Sequence, residues 1–294
     1  MNTIDELILK QVELALMEDV GPGDITTLAC IDNAPGRAEI VAKSEGVLAG
    51  LPVAETVFLK LDDKIKFNSI KKDGESFGPG DKIAEIDGDY RAILTAERTA
   101  LNILGHLSGI ASLTARFVKE VAGTGAVILD TRKTMPGLRY LEKYAVTCGG
   151  GSNHRFGLYD MALIKDNHIA AAGSVTGAVQ KMRAFLSGEE FSKRFEYDSA
   201  AVEIEVEVTE ISQLTEAIEC GIKRLLLDNQ TAASLAEMVK TARGLDPSVK
   251  LEASGNVNLP NVRAIAETGV DFISIGALTH SAVSSDFSLR VITE

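Results

Sequence analysis

Five cations crowd one stretch of this chain: Arg132 and Lys133, His154 and Arg155, and Lys165. Residues 130–170 hold six Lys or Arg against four Asp or Glu, in a protein whose formal net charge is −12. Each of the five follows or ends an apolar, strand-like run. Cations on a solvated helix face would recur at helical spacing among other charges, and these do not. The placement points to a pocket for a small anion with more than one carboxylate or phosphate. The competing reading is a structural salt-bridge network.

Carboxylates dominate the later strand ends. Glu207 and Asp228 lie about one strand–helix unit apart, which makes them neighbours around a rim. Such a pair suits a hydrated Mg2+ bridging a substrate phosphate, or hydrogen bonds to sugar hydroxyls. Glu205 reads instead as a strand residue facing a polar interior. Ser254-Gly255-Asn256 and Gly276-Ala277 follow consecutive strands, and small residues there let backbone N–H groups approach a phosphate. Gly149-Gly150-Gly151 reads as a flexible loop delivering His154 and Arg155, although a lone His is more often a structural hydrogen bonder. His106 reads as structural.

The elements that position these residues change style near residue 95. Before it stand an amphipathic helix (2–19), the turn Gly21-Pro22-Gly23-Asp24, short strands at 37–43 and 64–70, and a helix at 52–61. A long helical stretch (95–122), loosened by Gly105 and Gly109, leads into alternating strands and helices. The strands are read at 126–130, 161–166, 201–208, 224–228, 249–254 and 270–276, and the helices at 174–186, 210–219, 231–243 and 260–268. Continuous apolar strand cores imply a sheet covered on both faces, and alternation implies parallel strands with right-handed crossovers. Six or seven such units favour a barrel over an open sheet. No GxGxxG or Walker A loop follows a strand, which disfavours a dinucleotide or P-loop site.

Composition narrows the class further. At 294 residues with 45% apolar and 24% charged residues, the chain has ordinary globular composition. Its acidity, with a pI near 4.9, argues against nucleic acid or anionic membranes as partners. The acidic N-terminus does not read as a signal peptide, and no long apolar run predicts a membrane span. Cys30, Cys148 and Cys220 are odd in number and far apart, so a reducing cytoplasm is the expected setting.

Ordered motifs then carry a specific likeness. Glu97-Arg98-Thr99-Ala100-Leu101-Asn102, Asp130-Thr131-Arg132-Lys133-Thr134 and Pro136-Gly137-Leu138-Arg139 come first. Gly149-Gly150-Gly151 with Asn153-His154-Arg155, and Ile164-Lys165-Asp166-Asn167-His168, follow. Leu227-Asp228-Asn229, Glu252-Ala253-Ser254-Gly255 and Ile275-Gly276 complete the set. Over almost its whole length the chain resembles the quinolinate phosphoribosyltransferase family.

That resemblance implies a TIM-like, open-ended α/β barrel of about six to seven strands at 109–280. An N-terminal α+β sandwich-like domain would span 1–108, with the tail at 281–294 packing back on it. The implied reaction moves phosphoribose from phosphoribosyl pyrophosphate (PRPP) to quinolinate, with decarboxylation, on the route to NAD. Implied substrate contacts are Thr131, Arg132, His154, Arg155 and Lys165, with Lys133 at the junction with PRPP and Arg98 entering from a partner subunit. Glu207 and Asp228 would serve ribose and Mg2+. Ser254, Gly255, Asn256, Ile275, Gly276 and Ala277 would hold phosphate, with His280 nearby. Lys133, Lys165, Glu207 and Asp228 are the implied catalytic group, in a homodimer or higher oligomer. Asn256 departs from the family, where many members carry a second glycine, though Asn tolerates left-handed backbone angles.

Two other readings stay open. One is an aldolase-type Schiff-base lyase using Lys165 or Lys133 as nucleophile. The other is a phosphoribosyltransferase-like protein that binds without turnover.

Overall fold

The computed structural model describes residues 3–292. Residues 1 and 2, and residues 293 and 294 of the expected C-terminal tail, lie outside the described residues. The chain divides into two compact units, one of Met1–Arg116, Lys133–Gly151 and Gly276–Glu294, the other of Phe117–Arg132 and Ser152–Ile275.

The first unit opens with helices α1 (Thr3–Val20) and α2 (Ile25–Cys30). Asp24 caps α2, its carboxylate accepting from the Thr27 amide. Strands β1 (Pro35–Ala42), β3 (Lys66–Ser69), β5 (Lys82–Asp89) and β12 (Phe287–Val291) form one antiparallel sheet in the order β12-β1-β5-β3. The C-terminal strand therefore returns to pair with β1, Ile40 facing Leu289. A small pair, β2 (Gly46–Val47) with β4 (Ser76–Phe77), flanks helix α3 (Leu51–Leu61). Asp73 ties down the start of α3 by accepting from the Gly50 and Leu51 amides at 2.8 and 3.1 Å. Ile40, Phe58, Ile86, Leu104 and Leu107 are fully or almost fully buried and form part of this unit's core.

Helix α4 (Tyr90–Glu120) runs unbroken through Gly105 and Gly109. These glycines do not loosen it. A Cβ at Gly105 would meet the Ser285 carbonyl at 2.7 Å, and one at Gly109 the Val283 carbonyl at 2.3 Å. Their role is close approach of a neighbouring backbone. Two more helices complete the unit, α5 (Arg139–Cys148) and the short α12 (Ala277–His280).

The second unit carries a six-stranded parallel sheet. Its strands are β6 (Val127–Leu129), β7 (Ala162–Ile164), β8 (Ile204–Val208), β9 (Arg224–Asp228), β10 (Lys250–Ser254) and β11 (Phe272–Ser274). They are ordered β6-β11-β10-β9-β8-β7. Helices α6 (Asp166–Ala172), α7 (Val175–Leu186) and α8 (Glu189–Arg194) connect β7 to β8. Helices α9 (Ile211–Glu219), α10 (Ala232–Leu245) and α11 (Leu259–Ala266) make the later crossovers. This is an α/β barrel left open between β6 and β7. Leu225 and Leu227 of β9 are fully buried, as both-face coverage requires.

Candidate functional site

The strand ends of the barrel gather the residues of interest in separate groups. Arg132, just past β6, Arg155, and Lys165, just past β7, line one cleft of about 320 Å3. The side chain of Arg155 donates to the Met161 carbonyl at 3.1 Å. Burial, then the nearby positive charge of Arg132, pulls the Arg155 guanidinium below its ordinary pKa, against attraction from Glu205, Asp160 and Glu207. Two guanidiniums close enough to oppose each other are arranged for an anion rather than for mutual stability. The Lys165 ammonium also pairs with the Glu207 carboxylate, which is 11% exposed.

His154 takes a different position. It is 8% exposed, and its Nε2 lies 3.1 Å from Glu205 and 3.4 Å from Glu252. It is not among the residues lining the cleft. Burial favours the neutral ring and the two glutamates favour the cation, a balance standing at about 9. The Arg155 amide, however, donates to Nδ1 at 2.7 Å. A protonated Nδ1 would set two N–H groups face to face, so we assign the neutral tautomer with its hydrogen on Nε2. His154 thus holds the backbone of Arg155 from beneath. Its own amide is held by Asp130 at 2.9 Å.

Arg224 completes this interior layer, a feature not read from the sequence. Its guanidinium binds Glu205 at 3.1 Å and Glu252 at 2.8 Å and stacks over the Phe272 ring. Burial raises the pKa of Glu205. Burial pushes Glu252 the same way, but hydrogen bonds from His154, Arg224 and Ser274 hold it below the usual range. His154, Glu205 and Glu252 bring ligand atoms within 4.8 Å of one another. Arg224 already engages both carboxylates, so this trio does not suit a metal. Glu205 is fully buried, the polar-interior role anticipated for it.

A second group forms where β9 and β10 end. Asp228 accepts from the Asn229 amide side chain at 2.8 Å, and Asn229 in turn accepts from Asn256 at 3.1 Å. Asn229 and Asn256 both adopt φ of 53°. Gly255, at φ +95°, has no room for a side chain, since a Cβ would lie 2.2 Å from the Asn229 Oδ1. The Ser254 carbonyl accepts from the Asn229 amide at 2.8 Å. Asn229 links Asp228 to this loop, and the Asp-Asn pair after a strand was its only sequence signal.

A third group lies in the other unit. The Lys133 carbonyl accepts from the Thr279 hydroxyl at 2.7 Å. A Cβ at Gly276 would approach the Lys133 side chain at 3.0 Å and His280 at 3.2 Å. Ala277 begins α12. In the parallel-sheet unit, Ile275 is buried with its amide on the Leu129 carbonyl. Thr131 is half-buried beside Arg132.

One expectation changes. Gly149 and Gly151 are not a flexible tether: a Cβ would meet the Ala111 carbonyl at 2.4 Å and the Thr114 methyl at 2.8 Å respectively. They pack against α4. Arg98 lies on α4, with 62% of its side chain exposed and Glu97 at 3.8 Å. His106, read as structural, bonds Glu142 at 2.8 Å.

Comparison with known proteins decides the lineage. Models of the N-terminal and C-terminal domains of quinolinate phosphoribosyl transferase match residues 24–108 and 110–290. The chain belongs to the quinolinate phosphoribosyltransferase family. It is 43% identical to a probable nicotinate-nucleotide pyrophosphorylase [carboxylating] of Bacillus subtilis, over 94% of this chain and 90% of that protein. A Synechocystis protein of the same description is 42% identical over the same shares. Among solved family structures, the nicotinate-nucleotide pyrophosphorylase of Francisella tularensis superposes with a TM-score of 0.89 at 38% identity, covering 99% of this chain and 100% of that one.

Proposed function

We propose that this protein transfers phosphoribose from PRPP to the ring nitrogen of quinolinate, releasing pyrophosphate and CO2 and leaving nicotinate mononucleotide for NAD synthesis. One observation carries the reading: Arg132, Arg155 and Lys165 converge on a single cleft in a protein of net charge −12. Quinolinate is a dianion, and guanidinium groups grip carboxylates with paired charged hydrogen bonds. Lys133 and His280, beside Gly276, would meet pyrophosphate or phosphate oxygens, while Asp228 and the Ser254–Asn256 loop would hold the ribose 5-phosphate end.

Loss of pyrophosphate develops positive charge on the ribose ring, which Glu207 and Asp228 would stabilise. Once the ring nitrogen is alkylated, its positive charge stabilises the electron pair left on the adjacent ring carbon as that carboxylate departs as CO2, and a proton from solvent then takes the vacated position. No covalent enzyme intermediate is needed. Lys165 serves poorly as a Schiff-base nucleophile, because its Nζ is already engaged by the Glu207 carboxylate.

Mg2+ fits the donor set. Glu207 and Asp228 offer hard carboxylate oxygens on neighbouring strands, and Mg2+ is commonly held by one or two carboxylates plus substrate phosphates. When bound, it would neutralise charge on the departing pyrophosphate.

We further propose a homodimer in which Arg98 serves the partner's site. Supporting this, Arg98 is exposed, and Thr99 beside it touches Asp19 of α1 at 3.3 Å. Leu14 and Met17 of α1, and Ile25 and Leu28 of α2, are each more than half exposed. Large exposed apolar side chains on two consecutive helices favour a protein partner. Among the described residues no helix is long and apolar enough to cross a membrane. The free cysteines suit a cytoplasmic enzyme.

The direct test mixes protein, Mg2+, PRPP and quinolinate and follows nicotinate mononucleotide and CO2. Failure to form both, with folded protein, would sink the proposal.

A further inference from the structure

The cleft that holds Arg132, Arg155 and Lys165 is two-faced. Besides its cations, the cleft is lined by aromatic residues from the end of α7, from α8 and from the segment after it. Phe191 is 3% exposed and anchors the wall. It stacks on Phe195 at 4.8 Å and meets Phe185 edge-on at 5.7 Å. Phe195 continues to Tyr197 at 5.6 Å. The Tyr197 hydroxyl donates to the Tyr159 carbonyl, so the wall is tied to the segment that follows Arg155. Tyr197 and Tyr159 remain 40% and 51% exposed, so the wall keeps apolar surface that the protein does not cover itself.

From this we propose that the cleft has an apolar annex that accepts a second fused ring: its preferred ligand class is bicyclic aromatic ortho-dicarboxylates. The inference rests on reading the three cations as the carboxylate site. Its new content lies in the aromatic lining. At about 320 Å3 the cavity is larger than one six-membered ring with two carboxylates fills. It falls in the roughly 300–1,000 Å3 range of drug-sized pockets, which combine apolar walls with a few placed polar groups. Vicinal carboxylates would face Arg132, Arg155 and Lys165. The added ring would lie against Phe195 and Tyr197, where aromatic faces favour offset or edge-on contact. A solely structural cluster would fill its own gaps and gain nothing from such a ligand.

The probe pair is quinolinate and quinoline-2,3-dicarboxylate, which share ring nitrogen and carboxylates and differ by one fused ring. Calorimetric titration without PRPP should show the bicycle binding at least roughly fivefold more tightly, as burial of added apolar surface requires. In Tyr197→Ala or Phe195→Leu that ratio should fall toward one. Retained quinolinate binding shows each variant to be folded. A bicycle that binds no better than quinolinate to the parent protein overturns the annex, as does a ratio unmoved in both variants. If quinolinate itself does not bind, the quinolinate reading falls; a bicycle that still binds the parent and weakens in Tyr197→Ala or Phe195→Leu keeps the annex, and one that does not bind overturns it.

Discussion

The Lys165 ammonium and the Glu207 carboxylate are partners, although the first lines the anion cleft and the second belongs to the proposed sugar and metal end. Each restrains the other. While the pair stands, Lys165 offers quinolinate only part of its charge, and Glu207 is held in place before PRPP arrives.

Glu207→Gln should therefore split two properties. Turnover at saturation should fall sharply, because the carboxylate is assigned to developing charge. Quinolinate binding without PRPP should tighten roughly three- to tenfold as Lys165 is released, about 0.7–1.4 kcal/mol. Asp228→Asn, whose side chain is bonded to Asn229 instead, should lower turnover and leave quinolinate binding unchanged. Equal quinolinate affinities in both variants would remove the coupling between Lys165 and Glu207 from the mechanism.

Arg155→Lys should weaken quinolinate binding nearly as much as Arg155→Ala. A lysine keeps the charge but not the two-pronged geometry, and charged hydrogen bonds are worth roughly 1.5–3 kcal/mol each. Calorimetry showing parental affinity in the Lys variant would end the bidentate assignment.

Gly255→Ala should damage the PRPP end alone. The left-handed φ of +95° costs a residue with a Cβ about 1–2 kcal/mol, and the new methyl would displace Asn229 from its bond to Asn256. The KM for PRPP should rise while quinolinate affinity holds. Asn256→Gly keeps the backbone angle and should do far less harm. A Gly255→Ala enzyme with unchanged KM for PRPP would dissociate this loop from phosphate binding.

Much of this architecture was legible in the amino-acid order. Strands such as Arg224–Asp228 are unbroken apolar runs because both sheet faces are covered, and their ends name the chemistry directly. Helix α5 was not legible: it buries Glu142 and Lys143 completely, so its apolar period is broken where it packs. His154 was readable as important but not as inward-facing. Its partners Glu205 and Glu252 come from β8 and β10, distant in sequence. Gly149 and Gly151 advertise freedom in sequence, yet what they supply is room for Ala111 and Thr114.

The interior layer makes its own prediction. Arg224→Gln leaves Glu205 and Glu252 buried without their shared guanidinium, a loss of about 3–5 kcal/mol for a broken buried pair. Burial already raises Glu205 above its ordinary value, and losing the cation moves both acids upward, Glu252 from below its usual range. A carboxyl with a raised folded-state pKa contributes stability at acid pH and loses it as pH climbs through that pKa. The melting-temperature deficit of the variant should consequently widen from pH 5 to pH 8. A deficit independent of pH would mean that Arg224 acts through packing on Phe272 alone.

Arg98 supplies the test of the shared site. Arg98→Ala and Lys165→Ala should each be nearly inactive alone, the first for want of the partner's contribution and the second for want of its own pocket's cation. Unfolded together and refolded, they pair at random, and half of the dimers are mixed. Each mixed twofold dimer contains one pocket with both residues intact and one lacking both, so about a quarter of all pockets should recover. If Arg98 acts only on its own helix surface, beside Glu97, no pocket regains both groups. The mixture would then stay as inactive as its components, and the interface role of Arg98 would have to be dropped.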